Sequence, residues 1–60
     1  MPIESLSVLV VEDESYQQMV MLQILKLIGV AEARAASDGA SALESILVDG
    51  YRPDVMICDL

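Results

Sequence analysis

Glu12 and Asp13 follow the apolar run Val8-Leu9-Val10-Val11, and Asp59 closes a second run, Val55-Met56-Ile57-Cys58. Two strands that each end in carboxylates gather negative charge at one edge of a sheet. Such a cluster can bind a divalent cation, supply a nucleophile, or do both. Mg²⁺ takes hard oxygen ligands in octahedral geometry, usually one or two carboxylates with several waters. Asp13 and Asp59 suit direct ligation, and Glu12 suits holding a metal-bound water. A cation there would offset the mutual repulsion that otherwise raises the pKa of at least one carboxylate. A carboxylate can also attack an activated phosphoryl group to form an acyl phosphate. For that step, positioning and charge neutralisation supply most of the catalysis.

The elements that would position these groups are legible. Residues 6–11 are apolar apart from Ser7 and rich in valine. A continuous apolar run, unlike strict alternation, suits a strand covered on both faces of a parallel sheet. Residues 15–28 then read as a helix, with Lys26 in its last turn and Gly29 where a C-terminal capping glycine is expected. At 100° per residue, Tyr16, Val20, Met21, Ile24, Leu27 and Ile28 share one broad face. Met19, Leu22 and Leu25 fall outside it, leaving a thin polar remainder of Gln17, Gln18, Gln23 and Lys26. That pattern suits either ordinary core with surface leucines, or a helix covered on a second side by another helix or a second copy.

Residues 30–36 form a weaker strand with Glu32 and Arg34 alternating against alanines, a sheet edge more than a centre. Ser37-Asp38-Gly39 is a turn in which Asp38 or Ser37 caps the next helix. That helix, residues 40–48, is expected to turn Ala40, Leu43, Ile46 and Leu47 inward and Ser41, Glu44 and Ser45 outward. Asp49-Gly50 ends it, and Pro53 holds the connection to the third strand extended. The order is β-α-β-α-β, an α/β fold, and right-handed crossovers leave few topologies. With the first strand central, the strand order is 2-1-3 and the helices lie on opposite faces. Ligands in such sheets sit beyond the carboxyl ends of the strands where the winding reverses. That point lies between the first and third strands, at Glu12, Asp13 and Asp59.

Sixty residues make one small domain at most, and a chain this short buries only about 60% of its unfolded surface. Hydrophobic residues are 55% of the total, which excludes a disordered tail and suits a chain that shares its core with something else. Ten acids against three bases (Lys26, Arg34 and Arg52) give a net charge of −7, which argues against binding nucleic acid. A single cysteine allows no internal disulfide and makes a reduced, cytoplasmic setting the default. Met1-Pro2-Ile3-Glu4 lacks the basic start of a signal peptide, and no apolar stretch approaches the ~20 residues of a membrane span. Cys58 alternates with Asp59 along its strand and is expected to pack inside. Glu14 and Ser15 read as helix-start residues.

Three strings in order, Val8-Leu9-Val10-Val11-Glu12-Asp13-Glu14, the Ser37-Asp38-Gly39 turn, and Pro53-Asp54-Val55-Met56-Ile57-Cys58-Asp59-Leu60, resemble a response-regulator receiver domain of two-component signalling. The resemblance covers residues 1–60, which correspond to the N-terminal half of such a domain, a doubly wound, flavodoxin-like parallel sheet cut after the third strand. It implies that Asp59 is the phosphoacceptor of a partner histidine kinase or phosphotransfer protein in a phosphorelay. It also implies that Glu12 and Asp13 organise Mg²⁺ together with Asp59, with Glu12 standing where the family often has an aspartate. A receiver catalyses its own phosphorylation at most and is not a classical enzyme. The family's switching hydroxyl, its paired lysine and a backbone carbonyl of the metal shell lie later in the pattern, and Lys26 is no substitute for that lysine. Metal binding by these residues alone is therefore expected to be weak and phosphotransfer poor or absent, and the exposed edge of the third strand is expected to favour self-association.

A non-enzymatic interaction or dimerisation fragment is the alternative. An aspartyl phosphohydrolase fits less well, because it sets two aspartates two residues apart after the first strand. A mononucleotide-binding fold lacks its glycine-rich loop here.

Overall fold

The computed structural model describes residues 2–59; Met1 and Leu60, the last residue of the third string, lie outside the described residues. After a short 3₁₀ turn at Ile3–Ser5, the chain forms β1 (Ser7–Glu12), α1 (Ser15–Ile28), β2 (Glu32–Ala36), α2 (Gly39–Leu47) and β3 (Val55–Asp59). The three strands make one parallel sheet in the order β2-β1-β3. This is the α/β architecture and strand order that the alternation of apolar runs and helical segments predicts.

β1 is central because its sequence tolerates nothing else. Val8, Leu9, Val10 and Val11 are all buried, and Leu9, Val10 and Val11 are the largest fully buried side chains. Side chains alternate across the sheet, so the strand feeds two cores. Leu9 and Val11 pack with Ala36, Ala42 and Tyr51 on the α2 side. Val8 and Val10 pack with Leu25 on the α1 side, where Met21, Leu22, Val30, Ala33 and Ile57 join them. Burial of each such side chain contributes about 1.5–3 kcal/mol.

The helix ends follow from local chemistry. At the start of α1, Glu14 Oε1 accepts from the Tyr16 amide at 3.2 Å and Oε2 from the Gln17 amide at 2.8 Å. Gly29 ends the helix in the left-handed region (φ 97°), its N–H donating to the Leu25 and Lys26 carbonyls. A residue with a Cβ would be strained there. Of the two candidate caps for α2, Asp38 serves: its Oδ1 accepts from the Ser41 amide at 2.7 Å.

Both helix faces differ from the periodicity argument. In α1 the inward face is Gln18, Met21, Leu22 and Leu25, with Leu25 buried, while Tyr16, Ile24, Leu27 and Ile28 are exposed. Val20 and Met21 alone of the expected face are half-buried. A helix apolar nearly all round offers several overlapping i, i+3, i+4, i+7 stripes. Periodicity cannot choose among them, and the strand against which the helix packs can. In α2, Ala42 is buried and Ser45 and Ile46 are half-buried, whereas Ala40, Leu43 and Leu47 are exposed. The small Ala42 side chain lets the helix approach the sheet beside Tyr51, a fit that favours it over the bulkier leucines.

Tyr51 also closes the sheet at its amino-terminal end. Its hydroxyl donates to the Val8 carbonyl at 3.3 Å and lies 2.9 Å from Ser7 Oγ, and the Arg34 guanidinium stacks 4.2 Å from its ring centroid. Asp54 reinforces the same end, exchanging two 2.8 Å bonds with the Ser7 backbone.

β3 is the correction of most consequence. Val55, Met56, Cys58 and Asp59 are exposed and only Ile57 is half-buried. Cys58, expected to pack inside, is therefore a free exposed thiol. The helices pack over β1 and β2, so the apolar side chains of β3 gain cover from one neighbouring strand and little else.

Candidate functional site

The carboxyl ends of the strands bring Glu12 and Asp59 together. They are register partners on adjacent parallel strands, which places their backbones about 4.8 Å apart. Asp13 and Glu14 occupy the turn from β1 into α1. Glu12 is buried, 5% exposed, whereas Asp13 and Asp59 face solvent. Glu14, already committed as the cap of α1, is a helix-start residue as its position suggested.

Glu12 is held from several directions. Its Oε1 accepts from the Glu14 amide at 3.1 Å, and its backbone carbonyl accepts from Gln18 Nε2 at 2.6 Å. The same Gln18 nitrogen lies 3.3 Å from the Ala36 carbonyl at the end of β2. In the sequence Gln18 is one of the polar residues of α1, and nothing in the periodicity sets it apart from Gln17 beside it.

The strongest influence on the Glu12 carboxyl is the hydrogen bond from the Glu14 amide, which favours the charged form. Burial, the adjacent Asp13 carboxyl and the Asp59 carboxyl oppose it and together prevail, so the Glu12 pKa is raised above the ordinary glutamate value. The fold then binds this proton more tightly than the unfolded chain does. Between the unfolded value and the raised folded value, stability falls as pH rises. Asp38 behaves oppositely. The Ser41 amide, then the Ser41 hydroxyl, lower its pKa, so its contribution is full above the unfolded aspartate value and is lost as pH falls through the folded one.

Thermal unfolding should therefore show a midpoint that rises on mild acidification through the Glu12 window and falls again in stronger acid as Asp38 protonates. Glu12→Gln should raise the midpoint at neutral pH and flatten the rise. An unchanged profile in that variant would show that Glu12 does not carry the effect.

Among the described residues, no group of three or more His, Cys, Asp or Glu side chains is arranged to hold a metal ion as it stands. The donor set nevertheless fits a hard divalent cation bound by few protein ligands. Asp13 and Asp59 present exposed carboxylates, and Glu12 already has one oxygen engaged by the Glu14 amide, which suits a contact through water. A cation there would offset the repulsion from Asp13 and Asp59 that, after burial, helps raise the Glu12 pKa.

Two shallow concavities, of about 330 and 260 Å³, lie along α1 and between α1 and β2, sharing Leu22 and Lys26. Neither is lined by Glu12, Asp13 or Asp59. Among the described residues, no helix is long and apolar enough to cross a membrane. No family model, no curated protein and no solved structure matches this chain.

Proposed function

We propose that this chain is a receiver-like phosphoacceptor module of two-component signalling, in which Asp59 takes a phosphoryl group from a histidine kinase or phosphotransfer partner with Mg²⁺ at the adjacent carboxylates. The observation that carries the reading is the register pairing of Glu12 with Asp59 at the carboxyl ends of β1 and β3, where the winding of a 2-1-3 sheet reverses. The same arrangement supports regarding the sheet as the first half of a doubly wound, flavodoxin-like fold.

Asp59 is the nucleophile: one carboxylate oxygen forms a bond to phosphorus as the donor's P–N bond breaks, and the leaving imidazole keeps the electron pair and takes a proton. Its exposure lets a protein-borne phosphohistidine approach in line. Asp13 and Asp59 would hold the cation directly and Glu12 through water. When bound, Mg²⁺ supplies charge neutralisation for the phosphoryl oxygens. The test is incubation with Mg²⁺ and a small phosphoryl donor, followed by intact-mass measurement. A hydroxylamine-labile gain of one phosphoryl group that Asp59→Asn removes supports the reading, and a gain that persists in that variant counts against it.

The bare third strand favours a second reading, an interaction module that associates through β3. Val55 and Met56 are exposed on opposite faces of an apolar edge strand, and Leu43, Leu47 and Val48 are exposed on the α2 side. Sedimentation over a concentration series should show mass-dependent association, which Met56→Lys on that strand weakens. A compact monomer at the highest concentration would remove this reading.

A further inference from the structure

The side chain of Gln18 has a place in the site that its position on the helix does not announce. It is half-buried on the inward face of α1, and its amide nitrogen reaches two backbone carbonyls on two different strands, Glu12 of β1 at 2.6 Å and Ala36 of β2 at 3.3 Å. Both partners are acceptors, which requires the NH₂ end of the amide, with one N–H for each. These carbonyls are the last of β2 and of β1, where the ladder between the two strands ends at the Val11–Ala36 pair. The Glu12 carbonyl lies beyond the last pair of that ladder. The amide therefore ties the two strand ends together and fastens the first turns of α1 to both. Glu12 is fixed through its carbonyl by Gln18 and through its carboxylate by the Glu14 amide, so the β1–α1 turn that carries Asp13 is gripped at both ends.

We infer that Gln18 is a positioning residue, one that sets the β1–α1 turn, and with it Glu12 and Asp13, in the place where Asp59 meets them. The inference deepens the proposed metal and phosphoacceptor site and rests on that reading for its purpose, though the tie itself is independent of it. A hydrocarbon side chain of similar size cannot replace it, because the Glu12 carbonyl would lose its donor and the link from α1 to both strand ends would be gone. Leu22, one turn further along the same inward face, packs on the same core but touches neither carbonyl, and provides the comparison.

The experiment uses the whole chain with Gln18→Leu, Gln18→Arg and Leu22→Ala, each checked for folding by denaturation. Two readouts are taken by NMR: hydrogen exchange of the Glu14 amide, and Mg²⁺ titration followed at residues 12–14 and 58–59. In Gln18→Leu the Glu14 amide should exchange faster, and half-saturation by Mg²⁺ should need about tenfold more cation, the scale on which groups behind metal ligands act. Gln18→Arg, which restores a donor of sufficient reach, should recover part of both, and Leu22→Ala should change neither beyond its effect on stability. If Leu22→Ala matches Gln18→Leu in both readouts, Gln18 is merely structural and the inference is overturned. If the unsubstituted chain shows no Mg²⁺ response while Gln18→Leu alone loosens the Glu14 amide, the positioning of the turn stands and the metal reading falls. Equal Glu14 exchange in the unsubstituted chain and Gln18→Leu overturns the inference whatever Mg²⁺ does.

Discussion

Asp59→Asn should abolish the hydroxylamine-labile mass gain of the chain incubated with Mg²⁺ and a small phosphoryl donor, leaving no residual adduct on any other carboxylate. An amide has no anionic oxygen with which to attack phosphorus, and the change is nearly isosteric, so the loss reports chemistry and not folding. The alternatives are weaker nucleophiles for reasons of position. Glu12 is buried with one oxygen engaged, and Glu14 is committed to the first amides of α1. Asp13 is exposed, and its replacement separates the two roles. Asp13→Asn should keep Asp59 reactive in principle while weakening Mg²⁺ binding by more than the roughly tenfold lost with a group that only supports a ligand. An adduct that survives Asp59→Asn, located by peptide mapping, would move the phosphoacceptor elsewhere and sink the proposed assignment.

The second large effect concerns stability. Leu9→Ala should lower the unfolding free energy by about 2–5 kcal/mol, a large share of what the chain has, whereas Leu27→Ala on α1 should change it by no more than ~0.5 kcal/mol. Leu9 is 1% exposed and sits in the α2-side core with Val11, Ala36, Ala42 and Tyr51. Removing such a leucine costs about 2–5 kcal/mol through lost burial and the cavity left behind. A domain of this size has only ~3–9 kcal/mol to lose, at ~0.05–0.15 kcal/mol per residue. Leu27, in contrast, is 87% exposed. Leu25→Ala should fall near Leu9→Ala and far from Leu27→Ala, the reverse of what helical periodicity alone suggests. Chemical denaturation followed by circular dichroism resolves the four proteins, and equal costs at positions 25 and 27 would show that α1 packs on another face.

The contrast between these two leucines shows which features were legible in the residues. β1 could be read because four consecutive apolar residues have only one place to go in an α/β sheet, the centre with both faces covered. The ends of α1 were equally legible, since a caps-and-glycine pattern is local: Glu14 and Gly29 act within one turn of themselves. Strand order followed from the unequal apolarity of β1 and β2, combined with the handedness of crossovers. The convergence of Glu12 and Asp59 was legible for the same reason, because strand ends in a parallel sheet share one edge.

Tertiary structure decided what local chemistry leaves degenerate. The rotation of α1 about its axis is one such choice: overlapping apolar stripes have similar burial value, and contacts with β1 and β2 select Leu22 and Leu25 over Ile24 and Leu27. The exposure of Cys58 is another, because it depends on whether a helix lies over β3, and none of the residues of β3 encodes that. Gln18 is the third, since its two partners are 6 and 18 residues away and meet only when the ends of β1 and β2 lie side by side. By itself the sequence determined that carboxylates end the strands at one sheet edge, since strand polarity and side-chain type are local properties. Only the fold decided that Glu12 is buried and raised in pKa, that Asp13 and Asp59 face solvent, and that an amide from α1 holds their turn, because each depends on what long-range packing places beside them.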